Sequence, residues 1–295
     1  MANKRFGIVG FPWDGGASLG RPGARYAPKE IREAVQWFQN RISDRKVYDV
    51  ERRRLVDLND VDMIDYGDIE IVAYSREATF ENAERKVKQM LQENTFPFVL
   101  GGDHSISYPI IKALHEQSEG NIAIIQFDAH LDLVDDDPIQ GKYSQSSQMR
   151  RALELPRVEA KQIVQIGVRS YNYPWYAEYL KQNEIVQMTA REVHQMTAKE
   201  VADQALDACA GAEKIYLTFD IDVLDPAFAP GTGANEPGGL TPAQSFAILD
   251  HLYPHIDAMD IAEVNPLYDH QQITTSIAAR ILFDCLTQRS IVNHN

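Results

Sequence analysis

Long apolar runs are missing from this chain. Nowhere in its 295 residues is there a stretch approaching the roughly 20 consecutive apolar residues that a membrane helix needs. The N-terminal run Phe6–Phe11 is too short for the core of a signal peptide and meets Pro12, Trp13 and Asp14 at once. Cysteine is nearly absent too. Cys209 and Cys285 are the only two, both in apolar helical patterns, so a disulfide framework is excluded. Reduced core thiols are expected, which suits the cytoplasm. Basic residues are the minority, 29 against 43 acidic, and the formal charge of −14 argues against a nucleic-acid partner. There is also no internal repeat, no low-complexity stretch and no Gly-, Ser- or Pro-rich linker. Residues 1–295 are therefore expected to form one domain with a substantial core.

What the chain does contain is an alternation of short apolar runs and amphipathic helical segments. Phe6–Phe11, Phe96–Leu100, Ile122–Phe127, Gln162–Ile166, Lys214–Phe219 and Asp257–Ala262 are rich in Val, Ile and Phe. Runs this uniformly apolar predict strands buried on both faces of a parallel sheet. Helices are predicted over Pro28–Asn40 and Arg76–Asn94. Two more open at the capping boxes Thr197-Ala-Lys-Glu200, ending near Gly211, and Thr241-Pro-Ala-Gln244. The rhythm implies a single-domain three-layer α/β/α fold with a mostly parallel sheet. The loops Asp14–Ala27, Val134–Ser147 and Asp225–Gly239 are long for such a fold, and long loops tend to carry function.

Three of the apolar runs lead directly into polar clusters: Gly101-Gly-Asp-His-Ser105, Asp128-Ala-His-Leu-Asp132 and Asp220-Ile-Asp-Val-Leu-Asp-Pro226. In open α/β sheets ligands bind beyond the carboxyl ends of the strands, so the clusters should meet in one crevice. Ligand-type residues fall at i, i+2 and i+4, and in an extended backbone alternate residues face one side. Asp128, His130 and Asp132 would then converge, as would Asp220 and Asp222. Carboxylates so crowded in a low-dielectric cleft cannot all stay ionised unless cations offset them. Two divalent ions would do so, and oxygen-rich donors with a minority of imidazole suit Mn²⁺ best, with zinc, iron and nickel as other candidates. A lone Asp-x-Asp is usually a turn and a lone His a satisfied core group; three clusters, each after a buried strand, are a different matter.

These motifs, in this order, resemble the ureohydrolase family of arginases, agmatinases, guanidino-acid hydrolases and formimidoylglutamases. Gly20-Arg-Pro-Gly-Ala-Arg25, Pro28-Lys-Glu-Ile-Arg32, Gln165-Ile-Gly-Val-Arg169, Ala229-Pro-Gly-Thr-Gly233 and Glu263-Val-Asn-Pro266 extend the likeness over nearly the whole chain. The resemblance implies an arginase-like fold and a binuclear metal-dependent hydrolase of linear amidines. It assigns His104, Asp128, Asp132 and Asp220 to one ion, and Asp128, His130, Asp220 and Asp222 to the other. Water activated between the ions would be the nucleophile, Asp132 would pass a proton to the leaving amine, and Glu263 would pair with the substrate's guanidinium. A homo-oligomer, a trimer or hexamer, is also implied.

Two departures bear on the substrate. Gln145 stands where arginases and agmatinases usually carry a histidine, and glutamine hydrogen-bonds a substrate without titrating near neutral pH. Ala234 stands where a hydroxyl is usual, although Glu236-Pro-Gly-Gly-Leu240 is agmatinase-like. Asp135-Asp-Asp137 would attract a distant ammonium or form a solvated turn, and Arg150 and Arg151 would meet a substrate carboxylate or simply open a surface helix. The leading expectation is an agmatinase-type enzyme releasing urea. Formimidoylglutamase, which commonly lacks the histidine, is the alternative. A metal-binding but inactive regulatory subunit and a one-metal deacetylase stand further off.

Overall fold

The computed structural model describes residues 4–17, 21–136, 138–139 and 141–291. Gly20 and Asp137 lie outside the described residues. In chain order, Lys4–Gly10 forms strand β1 and Ala27–Gln39 helix α1. Lys46–Asp49 (β2) and Arg54–Asp57 (β3) make a small antiparallel pair, followed by Val61–Asp68 (β4) and helix Arg76–Gln92 (α2). Thr95–Leu100 (β5), Ser107–Glu116 (α3), Ile122–Phe127 (β6) and Gln148–Ala152 (α4) come next. Then follow Ile163–Val168 (β7), Tyr176–Asn183 (α5), Val186–Thr189 (β8), Ala190–Val193 (α6) and Ala198–Ala208 (α7). Lys214–Asp220 (β9), Pro242–Leu252 (α8), Ala258–Ala262 (β10) and Ile273–Ile291 (α9) complete the described chain.

Eight strands build one sheet in the order β4-β1-β5-β10-β9-β6-β7-β8, every pairing parallel. All six apolar runs are strands, and β5, β6, β7 and β10 are buried along their whole length. A core on one face packs α1, α7, α8 and α9 against the sheet, and a second core on the other face packs α2, α3, α4 and α5. The three-layer expectation is met. Both cysteines are free and buried, and no helix among the described residues is long and apolar enough to cross a membrane.

The elements that the sequence pattern does not reveal are those whose burial is unusual. Strand β4 lies at a sheet edge and is largely polar, so nothing in its composition marks it as buried. Strand β8 has only four residues. Helix α9 is buried nearly all round, which erases the amphipathic signature.

Both predicted capping boxes are present. Thr197 accepts from the Glu200 N–H while the Glu200 carboxylate accepts from the Thr197 N–H, and Thr241 and Gln244 do the same. Thr197→Ala removes that cap and should cost about 1 kcal/mol. A thermal melt should show the midpoint lowered by about 2 °C.

Candidate metal centre

Strands β5, β10, β9 and β6 are consecutive in the sheet, and their carboxyl ends deliver the polar clusters to one place. The convergence does not come from extended backbone, as the residue spacing suggests, but from turns. Asp220 caps a 3-10 turn over Ile221–Val223, its Oδ1 accepting the Asp222 N–H at 2.9 Å. Asp128 Oδ1 accepts the His130 N–H at 2.6 Å in a bend of the same kind. Each such turn satisfies a backbone donor and aims two side chains inward. His104 opens another 3-10 turn, capped by Asp103, whose Oδ1 accepts the Ser105 N–H at 2.9 Å. Gly102 allows the chain to pass there, since a Cβ would fall 1.6 Å from the Trp13 carbonyl oxygen. Asp132 and Glu263 adopt the left-handed region, with φ of 52° and 61°. Non-glycine residues held there concentrate at functional sites.

Six side chains predicted from the sequence meet. His104 Nδ1 lies 3.0 Å from a carboxylate oxygen of each of Asp128, Asp132 and Asp220. His130 Nδ1 lies 3.4 Å from Asp128 and 3.1 Å from Asp222. The donors form two groups suited to a metal ion, His104–Asp128–Asp132 and Asp128–His130–Asp222, which share Asp128. His104 Nδ1 is buried yet makes no aligned hydrogen bond, although three carboxylate oxygens are equidistant from it. That is the arrangement of donors around a point. Adjacent donors about 2.1 Å from one ion in an octahedron lie about 3.0 Å apart.

Hydrogen bonds behind His104 make the same point. The buried Asp260 carboxylate accepts the Thr218 hydroxyl at 2.7 Å, the Ser107 hydroxyl at 2.7 Å and the Tyr216 hydroxyl. With its own hydrogen committed, Thr218 Oγ1 accepts from His104 Nε2 at 2.8 Å. Nε2 therefore carries the hydrogen, and the Nδ1 lone pair is the one that faces the carboxylates. The residues fit a divalent ion.

Charge leads to the same conclusion. No Lys or Arg among the described residues pairs with Asp128, Asp132, Asp220, Asp222 or Glu263; the two imidazoles are the only basic side chains in contact. Burial and the neighbouring Asp128 push the Asp132 carboxyl up to about 7. Burial and Asp222 raise Asp220 well above the ordinary range. Burial opposes protonation of His104, but Asp128, Asp132 and Asp220 outweigh it and raise the imidazole. Without cations the site retains protons. Cations placed at the same points displace them.

Glu263 is buried at the end of β10, where Oε1 accepts the His104 N–H at 2.8 Å. Burial, then the nearby Asp103, raises its carboxyl well above the usual range. A narrow cleft is lined by Glu263, His130, Asp132, Asp220, Asp222, Ala234, Gln145 and Ser146. Gln145 and Ala234, the two departures, thus face the space where a ligand would sit. A larger cavity of about 470 Å³ opens at the amino ends of β1, β5 and β9, but it contains none of these groups.

Arg150 and Arg151 are not brought to the cleft. Arg151 is fully buried and pairs with Asp135 and Glu154, and Arg150 reaches Asp135 at 3.3 Å, so neither is set to meet a substrate carboxylate. Asp135 is correspondingly engaged as their partner. Sequence reasoning missed Gln148, whose amide donates to Asp132, and Gln126, whose Nε2 donates to Asp128 Oδ2 at 2.6 Å. Gln126 immediately precedes Phe127-Asp128 inside an apolar strand, and a buried amide there was the available signal.

The arginase family model matches residues 4–287. A formimidoylglutamase of Halalkalibacterium halodurans is 33% identical over 97% of this chain and 88% of its own. An agmatinase of Neisseria meningitidis serogroup C is 34% identical over 95% of this chain and 85% of its own. The solved structure of the proclavaminate amidino hydrolase of Streptomyces clavuligerus superposes with a TM-score of 0.85 at 29% identity, covering 98% of this chain and 93% of that one. With the fold, the clustered ligand groups and these likenesses in agreement, the chain belongs to the arginase family and is a hydrolase of amidino carbon–nitrogen bonds.

Proposed function

We propose that the cleft holds two divalent cations and hydrolyses a linear guanidino compound to an amine and urea, in the manner of an agmatinase. The observation that carries this reading is Glu263, a buried carboxylate with no Lys or Arg partner among the described residues, lining the same narrow cleft as the carboxylate–imidazole set. A guanidinium is planar and presents forked N–H donors that match a carboxylate.

In this reading His104, Asp128, Asp132 and Asp220 would hold one ion, and Asp128, His130, Asp220 and Asp222 would hold the other. The oxygen-rich donor set favours Mn²⁺. Such an ion pair supplies an acidified water and stabilises charge developing in the attack. Glu263 binds and aims the guanidinium so that its central carbon faces the ion pair, which removes orientational freedom from the reaction. Water adds to that carbon, the bond to the substituted nitrogen breaks, and that nitrogen takes up a proton and leaves as the amine. Asp132 Oδ delivers the proton, and the amide of Gln148 keeps its carboxylate oriented. Relatives named agmatinase support the substrate class, as does the Glu236–Leu240 segment, whose turn is held by the Asp225 carboxylate through the N–H groups of Gly238 and Gly239.

Gln145 favours a second reading. A neutral amide lining the cleft in place of an imidazole suits formimidoylglutamate, hydrolysed to glutamate and formamide, and a relative bears the name of that activity. A cytoplasmic homo-oligomer, trimer or hexamer, belongs to either reading.

Manganese-reconstituted protein should release urea from agmatine or a close guanidino analogue. Formamide from formimidoylglutamate, with no urea from any guanidino compound, would select the second reading. Glu263→Gln should lower kcat/KM by roughly 10- to 100-fold, the worth of a charge-assisted hydrogen bond. Ion binding should also depend on pH. The raised Asp132 carboxyl retains its proton below about 7 in the metal-free protein, so a cation must expel it there but not above. The rise in melting temperature on adding Mn²⁺ should therefore be larger at pH 8 than at pH 6; an equal rise at both would count against ligation by Asp132.

A further inference from the structure

Beneath the candidate metal centre, one polar row crosses five strands of the sheet. Asp260 on β10 is in register with Thr218 on β9, Thr218 with Gln126 on β6, Gln126 with Gln165 on β7, and Gln165 with Gln187 on β8. Residues in register on parallel strands project from the same face. Asp260, Thr218, Gln126 and Gln165 are all 0% exposed. Four polar side chains so deeply buried are costly unless each is satisfied.

The glutamine half of the row is satisfied in one direction only. Gln165 Nε2 donates to the carbonyl oxygen of Leu131 at 2.7 Å and to Gln126 Oε1 at 2.8 Å. A backbone carbonyl only accepts, so it dictates which end of the Gln165 amide faces it. Gln165 Oε1 is then left to accept from Gln187 Nε2, at 2.7 Å. With Gln126 Oε1 committed to Gln165, Gln126 Nε2 is the end that meets Asp128 Oδ2, at 2.6 Å. Leu131 lies between His130 and Asp132. The chain of hydrogen bonds thus leaves the ligand loop at Leu131, passes through Gln165 and Gln126, and returns to the loop at Asp128.

We propose that Gln165 and Gln126 are positioning residues that set the orientation of Asp128 and the conformation of loop 128–132 for two cations. The inference rests on the ion-binding reading given under Proposed function. The hydrogen bonds of Gln165 go to Gln126, Gln187 and the Leu131 carbonyl, so it acts on the ligand loop through Gln126 and Leu131. An amide holds a carboxylate in place without neutralising it, so the negative charge is left for the ions. Lys or Arg at the same position would satisfy Asp128 by itself and weaken its demand for a cation.

The direction of the amides makes the proposal testable. Gln165→Glu replaces the donating end by a carboxylate that cannot donate. Gln126 must then turn its Nε2 toward position 165 and its carbonyl toward Asp128, where two acceptors face each other. Gln165→Met is close in shape and removes the bonds without reversing them. Partners of metal ligands are typically worth 10- to 100-fold in metal affinity. Titration of metal-free protein with Mn²⁺, followed by calorimetry and by electron paramagnetic resonance, should show about a 10-fold loss for Gln165→Met and a larger one for Gln165→Glu. The KM for the guanidino substrate should stay near wild type, and excess Mn²⁺ should restore kcat, because the substrate contact at Glu263 is untouched.

Should the single variants fail to fold, the double variant Gln126→Met/Gln165→Met replaces both members of the buried pair with apolar groups, so that neither amide is left facing an unpaired partner at the other position. Its Mn²⁺ affinity should fall by at least 10-fold. Wild-type affinity in the folded variants would overturn the positioning role while leaving the ion site intact. Wild-type protein that takes up no Mn²⁺ would overturn the ion-binding reading and this inference with it.

Discussion

Mutual repulsion among buried carboxylates is the constraint around which the molecule is arranged. Asp128, Asp132, Asp220, Asp222 and Glu263 are all almost completely withdrawn from water at the carboxyl ends of adjacent strands. Brought together in a medium of low dielectric, these groups oppose one another and the fold. The protein does not relieve this with arginine or lysine. It surrounds the carboxylates with neutral donors: the backbone N–H groups of His130, Asp222 and His104, and the Gln126 and Gln148 amides. The residual charge is what suits the cleft to cations.

The same reticence about cations extends to the walls. Arg169 is half-buried near the site, yet its guanidinium donates to backbone carbonyls of Gly167, Asp222, Val223, Leu224 and Glu236 and to no carboxylate among the described residues. It staples the turn carrying Asp222 to the loop that brings Ala234 to the cleft. Burial lowers its affinity for a proton, although a guanidinium remains charged at any pH of interest. Gly239 makes room for it, since a Cβ there would lie 2.6 Å from Nη2. One side chain thus ties the two loops together through their carbonyl groups, while Asp222 and Asp128 act on its charge only from a distance.

Much of this was legible in the chain itself. The apolar runs Phe96–Leu100, Ile122–Phe127 and Lys214–Phe219 announced buried strands, and the Asp and His residues behind them announced the side chains that cluster in the cleft. Thr197 and Thr241 announced helix starts, because a cap is a local interaction between residues three apart. Strand β4 was not legible, because an edge strand half open to water needs no apolar signature. Helix α9 was not legible, because burial on all sides removes the periodicity that marks a helix. The mode of convergence was misjudged for a related reason. Residues at i, i+2 can share a face in a strand or be gathered by an Asx turn, and the spacing alone does not distinguish them.

What sequence alone determined, then, is local or compositional: the parallel α/β architecture, the three motifs rich in Asp and His, and the crowding of their charges. Tertiary structure decided what depends on strand order. Insertion of β10 between β5 and β9 puts Glu263 beside carboxylates more than 40 residues distant in sequence, and no local pattern encodes that neighbour. Register did the rest. Gln126, Gln165 and Gln187 look like unrelated polar interruptions until pairing of β6, β7 and β8 aligns them into a single hydrogen-bonded row. A pairing between strands exists only once the sheet has formed.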